Sequence, residues 1–434
     1  MQQERIIEAE LTWTGQRFEP EVQIVVGPDG VIEYVGNLGE RPTDRLPNRA
    51  LLPGFVSAHS HAFQRALRGL GESFPQGSGS FWTWREAMYK LVETMTSDQI
   101  RSIARRTFAE MLFCGITTVG EFHYLHHEAD SAAYEYDRIV LAAAADVGVR
   151  IVLLNAYYNT GGIHQSLSPA QNRFASAAPE QYWAQMDRLR EAVDPTTQSL
   201  GCVVHSIRAA TLDDLDQLHA EAMRRRLVCH MHVEEQPKEI ADCRDAYGKT
   251  PMAIINERLA VNDRFTAVHC THTTGSDMQN FASSGGNVCL CPLTEANLGD
   301  GTADLASMRQ SGANVCLGTD SNLRLAMTEE MRLVEYGQRL RDLKRGAIVD
   351  ESGSVSRPLL AMATENGARA LGLAAGKIAS GCFADFVAID LNCPLLAEST
   401  TDTLLDAFVF GTGNEAIAEV CVGGRWVPAS GGAD

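Results

Sequence analysis

The chain has 434 residues, of which 45% are hydrophobic and 21% are charged, so it can form a substantial buried core. This composition excludes an intrinsically disordered chain, a collagen-like chain and a small disulfide scaffold. The 55 Asp and Glu residues outnumber the 37 Lys and Arg residues and give a formal net charge of −18, which disfavours nucleic acids and anionic membrane surfaces as partners.

Both ends of the chain show the patterns that predict β-strands and hairpins. Pro28-Asp29-Gly30 is typical of a hairpin turn near the N-terminus, and Gly423-Gly424 is its counterpart near the C-terminus. We expect residues 1–52 and 375–434 to meet in one small β-sandwich. The predicted terminal strands cover residues 11–14, 23–26, 31–35, 386–389, 417–422 and 425–427.

Between the two ends, over residues 53–374, short apolar strands alternate with helical stretches, which predicts parallel βα units. Eight such units favour an α/β fold of the (β/α)₈ barrel type. An open doubly wound sheet is the alternative, but no glycine-rich phosphate motif follows any strand. The predicted barrel strands cover residues 52–58, 117–122, 151–156, 201–205, 227–232, 266–269, 287–291 and 314–318.

The helix before the second barrel strand has clear start and stop signals. Thr96-Ser97-Asp98-Gln99 is a capping box, in which the first and last side chains satisfy each other's backbone N–H groups. Apolar residues then recur at helical spacing, and Gly115 ends the helix.

Parallel barrels place their chemistry at the carboxyl ends of the strands. The first strand ends in His59-Ser60-His61, and residues two apart on a strand point to one face, so both imidazoles can bind one ion. His232 ends the fifth strand, and Asp320 follows the eighth. Three imidazoles and one carboxylate predict a metal site for Zn²⁺ or Fe²⁺ that leaves room for a water.

The fifth strand contains two histidines, His230 and His232. His230 would lie one pleat deeper in the barrel, whereas His232 lies nearer the mouth and three residues before Glu235. We therefore predict that His232 is the ligand and that His230 lies in the core or behind the ligands.

Five motifs occur in order along the chain, and together they resemble the amidohydrolase superfamily over nearly its whole length. The resemblance implies a distorted barrel with a β-sandwich built from both chain ends, in agreement with the predicted strands. The motifs are Pro53-Gly54-Phe55-Val56-Ser57-Ala58-His59-Ser60-His61, His232-x-x-Glu235, His269-Cys270-Thr271-His272, Leu317-Gly318-Thr319-Asp320-Ser321-Asn322 and Gly381-Cys382-Phe383-Ala384-Asp385-Phe386.

Some branches of that superfamily hold two metal ions bridged by a carbamylated lysine at the end of the fourth strand. Here residues 202–208 contain no lysine, so the resemblance implies one metal ion per subunit. Glu235 after the fifth-strand ligand and His269 on the sixth strand resemble the deaminase branch, in which water replaces an amine or imine nitrogen.

Further segments resemble one family of that branch, the N-formimino-L-glutamate iminohydrolases of bacterial histidine degradation. That family uses zinc to form N-formyl-L-glutamate and ammonia. Leu293 departs from the pattern, since a small polar residue is expected there. The matching segments are His61-Ala62-Phe63-Gln64-Arg65-Ala66-Leu67, Phe81-Trp82-Thr83-Trp84-Arg85, Glu121-Phe122-His123-Tyr124, His205-x-x-Arg208 and residues 292–301.

The residues themselves also favour a small dicarboxylate substrate. Arginine can bind a carboxylate through two parallel hydrogen bonds, whereas a neutral nucleobase needs few cations around it. Arg85 follows the first strand and Arg208 follows the fourth. The predicted substrate-binding residues are Gln64, Arg85, Tyr124, His205 and Arg208.

The predicted reaction uses zinc held by His59, His61, His232 and Asp320 to lower the pKa of a water. Asp320 or His269 would take the water proton, and Glu235 would protonate the imine nitrogen. His269 would also stabilise the tetrahedral intermediate.

Several alternatives stay open on the sequence alone. An aminohydrolase of a heterocycle such as guanine would share the metal ligands but not the arginines. A non-catalytic barrel would have lost ligands that are present here. The ligand set also accepts Fe²⁺ or Mn²⁺, and a homodimer is the default assembly.

The remaining histidines and the cysteines have no motif role. Because the 11 cysteines lack a CxxC pair and several lie in apolar runs, we expect buried free thiols; a zinc site at Cys289-Leu290-Cys291 would need a different spacing. Neither a signal peptide nor a run of about 18 apolar residues is evident, so we expect a cytoplasmic protein. The histidines expected at the surface or in loops are His123, His126, His127, His164 and His219.

Overall fold

A computed structural model describes residues 4–74, 77, 79–129 and 131–428, and its strands form one parallel and one mixed sheet. The strands are β1 (Arg5–Trp13), β2 (Phe18–Glu19), β3 (Gln23–Val26), β4 (Ile32–Gly36), β5 (Asp44–Pro53), β6 (Phe55–Ser60), β7 (Ile116–His123), β8 (Arg150–Tyr157), β9 (Gln198–Ser206), β10 (Cys229–Val233), β11 (Phe265–His269), β12 (Asn287–Leu290), β13 (Asn314–Leu317), β14 (Phe386–Asp390), β15 (Ile417–Val422) and β16 (Arg425–Pro428). The α-helices are α1 (Phe81–Thr94), α2 (Ser97–Phe113), α3 (Glu135–Val147), α4 (Pro179–Arg190), α5 (Leu212–Arg224), α6 (Pro237–Tyr247), α7 (Pro251–Arg258), α8 (Gly275–Ser283), α9 (Pro292–Leu298), α10 (Leu305–Gln310), α11 (Met327–Asp342), α12 (Ser356–Met362), α13 (Glu365–Ala370) and α14 (Leu404–Gly411).

The parallel sheet is a nearly closed barrel, which confirms the predicted fold class. Its strands follow one another from β6 to β13, each paired in parallel with the next. A parallel bridge between Ser60 and Asp320 joins the two edges, and the His61 backbone N–H donates to the Asp320 carbonyl oxygen over 2.8 Å. The ends of the first and last barrel strands therefore lie side by side.

The mixed sheet is built from both ends of the chain, as predicted. Its strand order is β16-β15-β14-β5-β1-β3-β4, and β2 pairs with β1. Ile7, Ile24 and Phe386 contribute to its own apolar core and are completely buried. The borders proposed at residues 52/53 and 374/375 stay a prediction.

The predicted strand over residues 52–58 is wrong in its extent. β5 ends at Pro53 in the mixed sheet, and β6 begins at Phe55 in the barrel. Gly54 makes the crossing possible, because a Cβ atom there would lie only 2.1 Å from Thr117 Oγ1. The sequence pattern does not reveal this change of sheet because the run is apolar and buried on both sides of the glycine.

The capping box that predicts α2 is present. The Gln99 N–H donates to Thr96 Oγ1, and the Thr96 N–H donates to Gln99 Oε1 over 2.9 Å. The apolar stripe of α2 is buried against the barrel, and Gly115 follows with a φ of 83°.

The cysteines are free and, except for Cys382, buried. Within the described part of the chain, no helix combines the length and apolar character needed to cross a membrane.

Candidate metal centre and active site

Four side chains meet at the carboxyl-terminal end of the barrel. His59 lies in β6, His61 follows it, His232 lies in β10 and Asp320 follows β13. The Nε2 atoms of the three histidines lie 3.1, 3.2 and 3.4 Å apart. Asp320 Oδ1 lies 3.4 Å from His59 Nε2 and 3.3 Å from His61 Nε2. The fold therefore brings the four predicted ligands together.

This spacing suits a tetrahedral metal ion. Bonds of about 2.0–2.1 Å to a tetrahedral zinc ion place the ligand atoms roughly 3.3 Å apart. Behind the rings, His61 Nδ1 donates to the Phe122 carbonyl oxygen over 2.7 Å, and His232 Nδ1 donates to the His205 carbonyl oxygen over 3.0 Å. Both rings thus keep an Nε2 lone pair toward the shared centre, so the group can hold a divalent metal ion.

Burial keeps the histidines of this group in the neutral form that binds metals. It lowers the pKa of His61 to about 3 and also lowers the pKa values of His59 and His232. Burial alone would raise the pKa of Asp320, but its contact with His59 and the other histidines around it outweigh burial and hold that pKa below its usual range. Three neutral imidazoles and one carboxylate are the protonation states that coordination requires.

A polar network fixes the segment that carries His59 and His61. Ser60 Oγ donates to Glu121 Oε2 over 2.7 Å, and the Ala62 N–H donates to Glu121 Oε1 over 2.6 Å. Asn322 Nδ2 donates in turn to Ser60 Oγ over 3.0 Å. Burial raises the pKa of Glu121 to about 8. Sequence patterns assign no role to Glu121, because its partners Ser60 and Ala62 lie about 60 residues away along the chain.

Glu235 and His269 lie next to the metal-binding group. His269 Nε2 lies 3.8 Å from Glu235 Oε1 and 3.9 Å from Asp320 Oδ2. His269 adopts a φ of 72°, a left-handed conformation that residues other than glycine seldom adopt. Burial lowers the pKa of His269, but the charges of Glu235, Glu295 and Asp320 reverse this and raise it to about 10.

Glu295 is a second residue that the sequence analysis missed. Its Oε1 atom lies 3.3 Å from His269 Nδ1 and accepts a hydrogen bond from the Cys291 N–H over 2.9 Å. His269 therefore has a carboxylate at each ring nitrogen, which orients the imidazole toward Glu235 and Asp320. The signal was its position within residues 292–301, a segment that was matched without a role for this glutamate.

The five predicted substrate-binding residues line one cavity. The other polar side chains that line it include His61, His232, Glu235, His269 and Asp320. Gln64 Nε2 donates to the Tyr124 hydroxyl over 2.8 Å, which directs both side chains. The Arg85 guanidinium lies 4.4 Å from the centre of the Trp82 ring. Burial lowers the pKa of His205 well below its usual value, with Arg208 adding to the effect.

The prediction of a surface or loop position is wrong for His123, which lies in β7, and for His219, which lies in α5, and both are buried. His126 and His127 do lie in the loop after β7, but they are buried as well. His123 and His126 pair with Asp137, a carboxylate on α3 that short-range patterns do not connect to them. His230 lies outside the metal-binding group, and its Nε2 donates to the Ala370 carbonyl oxygen over 3.1 Å.

Comparisons with known proteins identify related chains. A model described as "Amidohydrolase family" matches residues 50–427. The formimidoylglutamate deiminase of Pseudomonas aeruginosa is 38% identical over 417 residues, which cover 94% of this chain and 91% of that protein. A 5-methylthioadenosine/S-adenosylhomocysteine deaminase of Pyrococcus furiosus is 28% identical over 388 residues, which cover 87% and 84% of the two chains.

Solved structures have the same fold. An amidohydrolase from Brucella melitensis matches with a TM-score of 0.89 and 32% identity, covering 97% of this chain and 94% of that one. An adenosine deaminase from Xanthomonas campestris with bound zinc matches with a TM-score of 0.79 and covers 97% of this chain and 92% of that one. At 23% identity, the second match supports the fold alone.

Proposed function

Because this chain belongs to the amidohydrolase family, we propose that it hydrolyses N-formimino-L-glutamate to N-formyl-L-glutamate and ammonia. The chain is a hydrolase of carbon–nitrogen bonds other than peptide bonds. The observation that carries the choice of substrate is one cavity lined both by His61, His232 and Asp320 of the metal-binding group and by Arg85 and Arg208. A substrate with two carboxylates and one hydrolysable formimino group matches both features.

In this proposal His59, His61, His232 and Asp320 hold one zinc ion, which supplies, when bound, a water of lowered pKa at neutral pH. Asp320 Oδ2 takes the proton of the attacking water, and His269 Nε2, which lies 3.9 Å from it and is protonated at neutral pH, stabilises the negative charge that develops on the adduct. Glu235 donates a proton to the formimino nitrogen. The water oxygen adds to the formimino carbon in the same step, so this nitrogen becomes an amine. Glu235 then takes the proton of the new hydroxyl group and passes it to the amine, the bond between carbon and nitrogen breaks as the carbonyl forms, and ammonia leaves.

The substrate's carboxylates are assigned to the two arginines. Arg208 is surrounded by protein, and Arg85 stacks on Trp82, so each guanidinium has a restricted direction from which it binds an anion. Gln64 and Tyr124 add hydrogen bonds near His61. In this proposal the enzyme acts in histidine degradation in the cytoplasm.

An aminohydrolase of a heterocycle is the second candidate, because relatives named as 5-methylthioadenosine/S-adenosylhomocysteine deaminases match most of the chain. The arginines favour the dicarboxylate. A neutral ring would cover Arg208 without offering its guanidinium an anion, and removing polar N–H groups from water without giving them an acceptor is costly.

The test is ammonia release by the zinc-loaded protein from N-formimino-L-glutamate, with guanine, adenosine and cytosine as parallel substrates. We expect turnover of N-formimino-L-glutamate and stoichiometric formation of N-formyl-L-glutamate. Turnover of a heterocycle only would overturn the substrate assignment.

The carboxylate assignment has its own test. Arg208→Ala is expected to raise KM for N-formimino-L-glutamate by roughly 10- to 100-fold with kcat within a few-fold, because a charge-assisted hydrogen-bond pair is lost. Arg225→Ala is the matched control, since Arg225 is also a mostly buried arginine but pairs with Asp187 outside the cavity. An unchanged KM in the Arg208 variant would remove that residue from the substrate site.

A further inference from the structure

Glu239 is a completely buried carboxylate beside the substrate cavity. It lies in the first turn of α6 and has 0% exposure. Neither of its side-chain oxygens has a hydrogen-bond partner among the described residues. Buried charged groups in proteins are nearly always paired, so this side chain requires a partner that explains its position.

That partner is Arg208. Glu239 Oε1 lies 3.9 Å from Arg208 Nε, which itself has no hydrogen-bond partner among the described residues. The Arg208 side chain retains 12% exposure and lines the cavity, whereas Glu239 has none and does not line it. The guanidinium therefore lies between a buried carboxylate and the space for the substrate.

The electrostatics of Glu239 agree with this arrangement. Burial raises the pKa of Glu239 to about 7, and Arg208 is the strongest influence that opposes the rise. Glu235 and Glu234 raise this pKa further, and His269 lowers it. Among these neighbours, Arg208 is thus the main group that stabilises the ionised form of Glu239.

We propose that Glu239 is a positioning residue for substrate recognition, which holds Arg208 by its Nε edge and leaves the terminal nitrogens of the guanidinium for a substrate carboxylate. The proposal rests on the proposed function, because that function assigns the carboxylate to Arg208. A guanidinium is a rigid planar fork, so fixing one edge fixes the direction of the other. Glu239 touches no reacting atom, and its loss affects binding rather than the chemical step.

The first experiment compares steady-state kinetics of the zinc-loaded wild type, Glu239→Gln, Arg208→Ala and the double variant. Glu239→Gln is nearly isosteric and is expected to raise KM for N-formimino-L-glutamate about tenfold, with kcat within about twofold. In the Arg208→Ala background the same substitution is expected to change KM by less than about twofold, because its effect passes through the arginine. Additive effects on KM would overturn the proposal.

The matched control is Glu335→Gln. Glu335 is likewise completely buried and pairs with an arginine, Arg339, over 2.7 Å, but neither of the two lines the cavity. Its loss is expected to lower the melting temperature without changing KM. A tenfold rise in KM in this control would show that any lost buried glutamate has the same effect, and would overturn the specific role of Glu239.

The second experiment separates this inference from the proposed function. Glutarate, a plain dicarboxylate, is titrated calorimetrically into the same four proteins. Binding that weakens about tenfold in Glu239→Gln and is lost in Arg208→Ala supports the positioning role even if N-formimino-L-glutamate is not turned over. Equal or tighter glutarate binding by Glu239→Gln, or its absence in the wild type, overturns the positioning role even if N-formimino-L-glutamate is turned over.

Discussion

Two buried clusters of histidine and aspartate lie close to the barrel strand ends, and they differ in the distances between their side-chain nitrogen and oxygen atoms. In the metal-binding group, the closest ligand atoms of His59, His61, His232 and Asp320 are 3.1 to 3.4 Å apart. In the second group, formed by His123, His126 and Asp137, His126 Nδ1 lies only 2.7 Å from Asp137 Oδ1. The first spacing leaves room for an ion between the atoms, and the second is that of a hydrogen bond.

The second group is also held by hydrogen bonds with residues outside the group. Asp137 Oδ2 accepts hydrogen bonds from Asn155 and Gln185 over 2.8 and 3.0 Å, and His126 Nε2 donates to the Ala156 carbonyl oxygen over 2.7 Å. His123 Nε2 lies 3.1 Å from Asp137 Oδ1 without hydrogen-bond geometry. The two groups share burial and residue types, and this 3.1 Å distance falls within the range of the first group. What marks the second group as a structural ion pair is the 2.7 Å contact of His126 and the two amide donors on Asp137.

The largest expected effect comes from removing a ligand of the metal-binding group. His61→Ala is expected to lose the metal and to reduce ammonia release from N-formimino-L-glutamate by about a thousandfold or more, because the attacking water is no longer activated. Metal content by mass spectrometry and a thermal melt check the variant. Full metal content with near-normal turnover would contradict the assignment of His61.

The second largest effect is expected from removing the proposed proton donor, Glu235, while the metal ligands stay in place. Glu235→Gln is expected to keep its metal and lower kcat by roughly 10²- to 10⁴-fold, since it removes a general acid, while KM changes little. The loss of kcat is measured by timed ammonia assays on protein whose zinc content has been verified. Turnover close to that of the wild type would exclude Glu235 as the acid.

A substitution in the second group is expected to lower the stability of the fold and to leave the metal content unchanged. Asp137→Asn leaves the buried His126 without its carboxylate, and breaking a buried pair in this way costs about 3–5 kcal/mol of unfolding free energy. Denaturant unfolding measures the loss, and the metal content should stay unchanged. A variant that lost a metal ion at little cost in stability would make this group a metal site as well.

The smallest effect is a pH dependence. Burial raises the pKa of Asp137, but His126 and His123 outweigh it and hold that pKa well below the usual range. A carboxyl whose pKa is lower in the folded protein stabilises the fold above its unfolded value of about 4, and this stabilisation is lost as pH falls. Between pH 4 and pH 2 the unfolding free energy should therefore fall more steeply in the wild type than in Asp137→Asn. If the unfolding free energy fell equally steeply with decreasing pH in both proteins, Asp137 would be excluded as a cause of the instability in acid.

The sequence alone could predict the barrel and the metal-binding group because both depend on local patterns. Strand periodicity placed His59, His61 and His232 at strand ends, and the closed order of the strands brings such ends together. Arg85 and Arg208 were likewise predicted to follow the first and fourth barrel strands, and both line the same cavity.

The rest depended on contacts between distant segments. Glu121 lies in a predicted strand, whereas Glu239 and Glu295 lie in helices for which no bounds were predicted. The partners of all three are set by packing and not by spacing. His126 was expected at the surface or in a loop, and it does lie in the loop after β7. Its burial beside Asp137 of α3 could not be predicted from the local sequence. Local patterns do not state which polar groups a fold buries against each other.

The comparison of the two groups is tested most directly by a crystal structure of the zinc-loaded protein with anomalous data collected at the zinc edge. We predict one anomalous peak per chain, enclosed by His59, His61, His232 and Asp320, and none between His123, His126 and Asp137. A peak in the second group, or none in the first, would contradict the account.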